Sequence, residues 1–127
     1  MPVAEGKKLE FVDETNIDVS VLETFPYEGP KQTISYSTRE FSAVCPFSGL
    51  PDIADIKIEY IPKGKIVELK SLKYYFLSYR NVGIYQEPAT ARIYDDLKKL
   101  LEPQYLSVWM KYNTRGGIDA ETLVCSD

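Results

Sequence analysis

The apolar residues of this chain repeat first with the period of a strand, then of a helix, then of a strand again, and that order constrains the fold more than any other feature. Between Gln32 and Arg39, Ile34, Tyr36 and Thr38 alternate with Thr33, Ser35 and Ser37, which predicts a first strand. Asp55 to Ile61 alternates cleanly, with Ile56, Ile58 and Tyr60 on one face and Lys57 and Glu59 on the other, the pattern of a half-buried antiparallel strand. Pro62-Lys63-Gly64 is a turn. Leu69, Leu72, Phe76 and Tyr79 then follow helical spacing over about 69–80, and Asn81 and Gly83 are placed to close that helix. Pro88 suits the first turn of a second helix carrying Ile93, Leu97, Leu100 and Leu101, and Pro103 stops it. Leu106, Val108, Met110 and Tyr112 predict a third strand, Gly116-Gly117 a turn, and Ile118 to Val124 a fourth strand.

The order ββααββ predicts an α+β architecture: an antiparallel four-stranded sheet with two helices on one face. Lys57, Glu59, Ser107 and Trp109 fall on the other face. The sheet edges stay open, so subunits pairing edge to edge into a barrel is a natural closure. A chain of 127 residues buries only a modest core, and sites for a cofactor plus a substrate are expected between subunits. Residues 1–30, with Pro2, Pro26 and Pro30, read as an extended arm ahead of a single domain over 31–127. Phe11, Val19, Val21, Leu22, Phe25 and Tyr27 are too many apolar residues for a solvated tail, so the arm is expected to lie over its own or another subunit.

The chain has no histidine and two cysteines. A Ser-His-Asp triad, a Cys-His dyad, a histidine proton shuttle and any zinc site needing imidazole are therefore excluded, and no metal site is expected. The net charge of −4 argues against a general nucleic-acid binder. No stretch approaches the roughly 20 apolar residues of a membrane span. The opening MPVAEGKKLEF lacks the apolar core of a secretory signal, so a cytoplasmic setting with both cysteines as thiols is expected.

Four segments carry residues suited to chemistry. In Cys45-Pro46-Phe47-Ser48-Gly49-Leu50-Pro51-Asp52, a thiol at a strand end enters a rigid loop; it reads as a nucleophile or as a small buried hydrophobe. Asp52 is its proton-transfer partner if the turn folds back and burial raises its pKa, or else a turn-capping residue. Lys70 and Lys73 share a helix face with Ser71 near the helix start, which makes a phosphate-binding surface or a solvated lysine face. Tyr85-Gln86-Glu87-Pro88 places a carboxylate beside an amide, able to grip ring N–H groups or to complement the helix dipole. Arg115-Gly116-Gly117 reaches a phosphate or closes a hairpin. No dinucleotide fingerprint and no P-loop is present.

Taken together and in this order, Cys45 to Asp52, Glu68-Leu69-Lys70-Ser71-Leu72-Lys73-Tyr74-Tyr75, Arg80-Asn81, Glu87 and Arg115-Gly116-Gly117 resemble the single-domain form of the QueF family of NADPH-dependent 7-cyano-7-deazaguanine reductases, over about Phe41 to Gly117. The resemblance implies a tunnelling fold, assembled as a homo-oligomer of two stacked rings of five. It implies reduction of 7-cyano-7-deazaguanine to the aminomethyl compound by two NADPH, in the tRNA-modifying queuosine pathway, with no direct nucleic-acid or membrane partner. Cys45 matches the nucleophile that forms a covalent thioimide and Asp52 the acid that protonates nitrogen. Glu87 matches the carboxylate that binds the deazaguanine edge, and Val67, Glu68 and Leu69 match a substrate-contact segment. Lys70, Ser71, Lys73 and Arg115 are the candidates for NADPH. Gln86 departs from the pattern, since members usually carry histidine there, and Val82 sits at another position where histidine is common. The alternatives are a QueF-like amidinotransferase acting on tRNA, whose members lack the Glu68-to-Lys73 element, and a non-catalytic tunnelling-fold protein binding a purine- or pterin-like ring.

Overall fold

The structure is a computed structural model and describes residues 3–126; Met1, Pro2 and Asp127 lie outside the described residues. Eight regular elements follow one another: β1 (Thr24–Pro26), β2 (Ile34–Val44), β3 (Pro51–Ile61), β4 (Lys65–Val67), α1 (Leu69–Leu77), α2 (Gln86–Leu101), β5 (Tyr105–Arg115) and β6 (Ile118–Cys125). The main sheet has four strands in the order β2-β3-β5-β6, every neighbour antiparallel. β1 and β4 form a separate two-stranded ribbon.

Alternation decides which face is covered. Asp52, Ala54, Ile56, Ile58 and Tyr60 of β3 point inward, as do Leu106, Val108, Met110 and Tyr112 of β5. Against them α2 lays Ala89, Ile93, Leu97 and Leu101, and α1 lays Leu72 and Tyr75. Each large aliphatic side chain buried this way contributes about 1.5–3 kcal/mol. The opposite face keeps Lys57, Glu59, Ser107 and Trp109 around an open depression.

β2 runs further than its alternation suggests. A bulge between Thr38 and Phe41 shifts the register, so Phe41 and Ala43 take over the inward positions held by even-numbered residues before it. β3 likewise begins at Pro51, which tolerates the first strand position because it needs no donor there. Asp52, beyond the turn that follows Cys45, is thus a strand residue paired with Ala43. Helix α1 ends at Leu77, earlier than its apolar spacing extends, and Tyr79 continues the buried face from the turn that follows.

No packing boundary falls at residue 30. Ile17 and Leu22 belong to the same apolar core as the sheet, and β1 pairs with β4 at the entrance to α1. Nearer the start, Leu9 N–H donates to the Ser48 carbonyl at 2.8 Å. Val12 N–H donates to the Asn81 carbonyl at 2.9 Å, and Gly83 N–H donates back to Val12 at 2.8 Å. The arm is thereby fastened across the segment after α1 and across the Cys45 loop of its own chain.

Candidate active site

Cys45 directly follows β2, and the loop it opens is closed by its own backbone. Cys45 N–H donates to the Leu50 carbonyl at 2.9 Å, and Gly49 N–H donates to the Cys45 carbonyl at 2.8 Å. Gly49 has φ +75°, and a Cβ there would meet the Leu9 carbonyl oxygen at 2.3 Å, so only glycine fits. The turn leaves the amides after Cys45 facing its sulfur; Phe47 N–H donates to Sγ at 3.5 Å. The thiol is 8% exposed. The Ser48 and Phe47 N–H groups nevertheless hold its pKa below the ordinary thiol range, against the opposing effect of burial, with smaller help from the Ser48 hydroxyl and the Arg115 guanidinium.

Asp52 shows the opposite shift. Its side chain is 5% exposed, and burial raises its pKa more than Arg115 lowers it. Arg115 Nη1 donates to Asp52 Oδ1 at 2.5 Å. Arg115 ends β5, where Gly116 (φ +58°) and Gly117 (φ +76°) supply the two left-handed residues of a tight hairpin. That turn sets the arginine opposite β3's first residues. Its side chain is 56% exposed, so part of the guanidinium faces outward.

Asp52 and Arg115 form one wall of a cleft of about 480 Å³, completed by Tyr85, Gln86, Glu87 and Tyr112. Its volume suits a small-molecule ligand. Cys45 is outside this lining. Glu87 stands in the first turn of α2, its carboxylate favoured there by the helix dipole.

The remaining candidates line a second cleft, of about 540 Å³, that shares no residue with the first: Glu68, Leu69, Lys70 and Lys73 stand opposite Tyr36 and Thr38 of β2. The α1 amides expected to be free for a phosphate are taken. Glu68 is the N-cap, and its carboxylate accepts from Lys70 N–H at 2.7 Å and Ser71 N–H at 2.9 Å. The Ser71 hydroxyl is also committed: it donates to the Glu68 carbonyl at 2.7 Å and accepts from Glu23 N–H at 3.1 Å, in a residue 5% exposed. Val67 is buried and its N–H donates to the Tyr60 hydroxyl at 3.1 Å, so it presents no side-chain surface. Leu69, Lys70 and Lys73 remain exposed. Lysine charges over a floor of Leu69, Phe76 and Tyr36 suit the phosphates and rings of a dinucleotide.

Tyr112 joins the site unannounced by any motif. Tyr112 reads from alternation as core, and the signal for it is its register: it opposes Ala54, two residues from Asp52 on the same inward face. Among the described residues no three His, Cys, Asp or Glu side chains gather where they would hold a metal ion. No helix is long and apolar enough to cross a membrane.

A four-stranded antiparallel sheet with two helices packed on one face defines the tunnelling-fold class. Comparison narrows the class to a family. The model of the QueF-like proteins matches residues 51–127, and the chain belongs to the QueF family. It is 57% identical over 123 residues to a protein of Thermotoga maritima named NADPH-dependent 7-cyano-7-deazaguanine reductase, covering 96% of this chain and 90% of that one. A protein of the same name from Caldicellulosiruptor bescii is 51% identical over 121 residues, covering 94% and 92%. Among solved structures, the apo form of the archaeosine synthase QueF-Like is similar with a TM-score of 0.71 and 27% identity, over 78% of this chain and 96% of that one.

Proposed function

We propose that this chain is an NADPH-dependent 7-cyano-7-deazaguanine reductase that works through a covalent thioimide on Cys45. The observation that carries the reading is the buried Asp52 carboxyl, held by Arg115 in the wall of the cleft that Gln86 and Glu87 also line. The Cys45 thiolate adds to the nitrile carbon, and Asp52 gives its proton to the nitrogen, forming a C–S bond and a thioimide N–H. A nitrile accepts hydride poorly, and this addition splits one hard step into easier ones. Bound NADPH would supply the two hydrides that this carbon needs. After the first reduction the Cys45 thiolate leaves with its bonding pair, and a second proton reaches the nitrogen as the amine is completed. The balance is one nitrile, two NADPH and two protons to one primary amine and two NADP⁺. Arg115 holds the Asp52 carboxylate formed after proton transfer. Lys70 and Lys73 hold the cofactor's phosphates, Leu69 underlies them, and Glu87 and Gln86 hold the ring. Glu68 and Ser71 act by fixing the start of α1, and Val67 through its backbone.

The two clefts fit this chemistry if chains assemble. The cofactor cleft lies along β2 and the substrate cleft beside β6, and these are the two free edges of the sheet. Pairing β2 of one chain with β6 of the next brings one chain's lysines to its neighbour's Asp52 corner and closes a barrel, in the proposed arrangement of two stacked rings of five. The product serves queuosine synthesis for tRNA, in the cytoplasm, where NADPH and reduced thiols are maintained.

The test mixes protein, 7-cyano-7-deazaguanine and NADPH and follows cofactor absorbance together with intact mass. Two NADPH consumed per substrate are expected, with a covalent adduct in the absence of NADPH that disappears in Cys45→Ala. An unchanged mass and no oxidation would rule the reading out. An adduct without any NADPH oxidation would favour the amidinotransferase.

A further inference from the structure

Two buried side-chain atoms among the described residues lack any hydrogen-bond partner: Tyr112 Oη and Gln86 Oε1. Both residues line the cleft that holds Asp52 and Glu87. A buried hydroxyl left unpaired loses its hydration with nothing in return. Phenylalanine would fill the same space without that cost, so the Tyr112 hydroxyl is poorly explained as core. The residue itself is only 5% exposed.

Register brings Tyr112 close to Asp52 within the lining that Gln86 and Glu87 share. Tyr112 opposes Ala54, and Asp52 lies two residues along β3 on the same inward face. Such diagonal neighbours are about 7–8 Å apart and within reach of an aromatic side chain. Gln86 and Glu87 enter from the other side, on the first turn of α2. Burial, then the charge of Asp52, and more weakly that of Glu87, hold the Tyr112 pKa well above the ordinary tyrosine range. It is therefore a permanent donor in the field of both carboxylates. The cleft accordingly presents two acceptors at the helix end, the Glu87 carboxylate and Gln86 Oε1, then one donor, then the Asp52 corner.

A guanine-type ring presents the complement in the same order. Its amino and ring N–H groups are donors, the ring carbonyl oxygen is an acceptor, and in a 7-substituted 7-deazaguanine the substituent lies next to that carbonyl. With Glu87 and Gln86 on the N–H groups and Asp52 at the nitrile, the atom left facing Tyr112 is the carbonyl oxygen.

We infer that the Tyr112 hydroxyl donates to the ring carbonyl oxygen of the 7-deazaguanine substrate and makes the site selective for that ring over analogues lacking the oxygen. The inference rests on the reductase reading above, and it makes Tyr112 a substrate-contacting residue that no motif marks.

The experiment measures equilibrium binding in a Cys45→Ala background, so that no covalent capture intervenes. The ligands are 7-cyano-7-deazaguanine and its analogue with hydrogen in place of the ring oxygen, each titrated by calorimetry with and without Tyr112→Phe. The expected result is about a tenfold loss of affinity for the carbonyl ligand on removing the hydroxyl, an unchanged affinity for the analogue, and no fall in melting temperature. Equal affinities with and without the hydroxyl would overturn the inference. So would an equal loss for both ligands, or a lowered melting temperature with both weakened alike, since the hydroxyl would then serve the fold. If the Cys45→Ala protein with Tyr112 intact binds neither ligand and the unaltered chain forms no adduct, the reductase reading falls and the inference falls with it. An adduct in the unaltered chain together with any of the other negative results removes the inference alone.

Discussion

Arg115 and Asp52, 63 residues apart in sequence, form an ion pair in which the carboxylate is buried and the guanidinium is mostly exposed. The same guanidinium also lowers the Cys45 pKa. One cation thus acts on both reacting groups. Replacing Arg115 with methionine removes a lowering influence from each, so both pKa values rise. The pH at which Cys45 is half as reactive toward iodoacetamide should move up, with alkylation near neutral pH slowed several-fold. A pH profile of alkylation, read by mass, checks this; an unmoved midpoint would mean the loop amides alone set the thiol.

Asp52 should cost the fold stability at neutral pH. Its folded pKa lies above its unfolded one, because burial outweighs Arg115. The folded state then holds more protons than the unfolded state between those two values, and stability falls as pH rises through that window. Asp52→Asn removes the titrating group and with it that fall. Arg115 loses its partner but is exposed enough to be solvated. At pH 7 the variant should be at least as stable as the parent by urea denaturation, while turnover falls by about 10²–10⁴-fold for loss of the acid. A marked loss of stability would show that the ion pair holds the corner together.

A second buried network ties the two helices to each other. The Tyr75 hydroxyl donates to Asp96 Oδ2 at 2.6 Å and lies 2.9 Å from the Tyr79 hydroxyl, while Arg92 Nε donates to the same Asp96 oxygen at 2.8 Å. Tyr75→Phe leaves the packing and deletes two hydrogen bonds, one to the charged Asp96 and one to Tyr79, for an expected loss of at least about 1.5–3 kcal/mol in urea denaturation. Catalytic constants should stay within twofold, because the network touches neither cleft.

Glu102 caps α2 with φ +46°, the one non-glycine residue with positive φ among those described, and its N–H donates to the Lys98 carbonyl at 2.9 Å. A side chain in that conformation costs about 1 kcal/mol that glycine avoids. Glu102→Gly should raise the melting temperature by a few degrees, measured by calorimetry, with the cap bond unchanged.

Sheet and helices were legible because each has a face packed on one core and a face left polar, which writes a clean period into β3, β5 and α2. The upstream half of β2 was legible and its end was not, since the bulge after Thr38 reverses which parity points inward. The return of the chain from Cys45 to Asp52 needed only the turn to close, and Gly49 closes it. The Arg115 contact with Asp52 is not legible, because a glycine hairpin tells nothing about the far strand its side chain meets. The Ser71 hydroxyl's own bonds are hidden for a similar reason: its partners Glu23 and Glu68 come together only in the fold. Tyr112 was hidden by its strand period, which cannot tell a core tyrosine from one whose hydroxyl is kept unpaired.

The amides that activate Cys45 belong to its own next residues, and their aim depends on Gly49 turning beneath Leu9. In an unfolded or newly made chain those amides point everywhere, and Cys45 is an ordinary thiol. Its reactivity is therefore acquired by folding and surrendered on unfolding. The chain is exposed to oxidants as a sensitive thiolate only in the form that can also use it, and loss of iodoacetamide selectivity at Cys45 reports the opening of the arm before the sheet itself has melted.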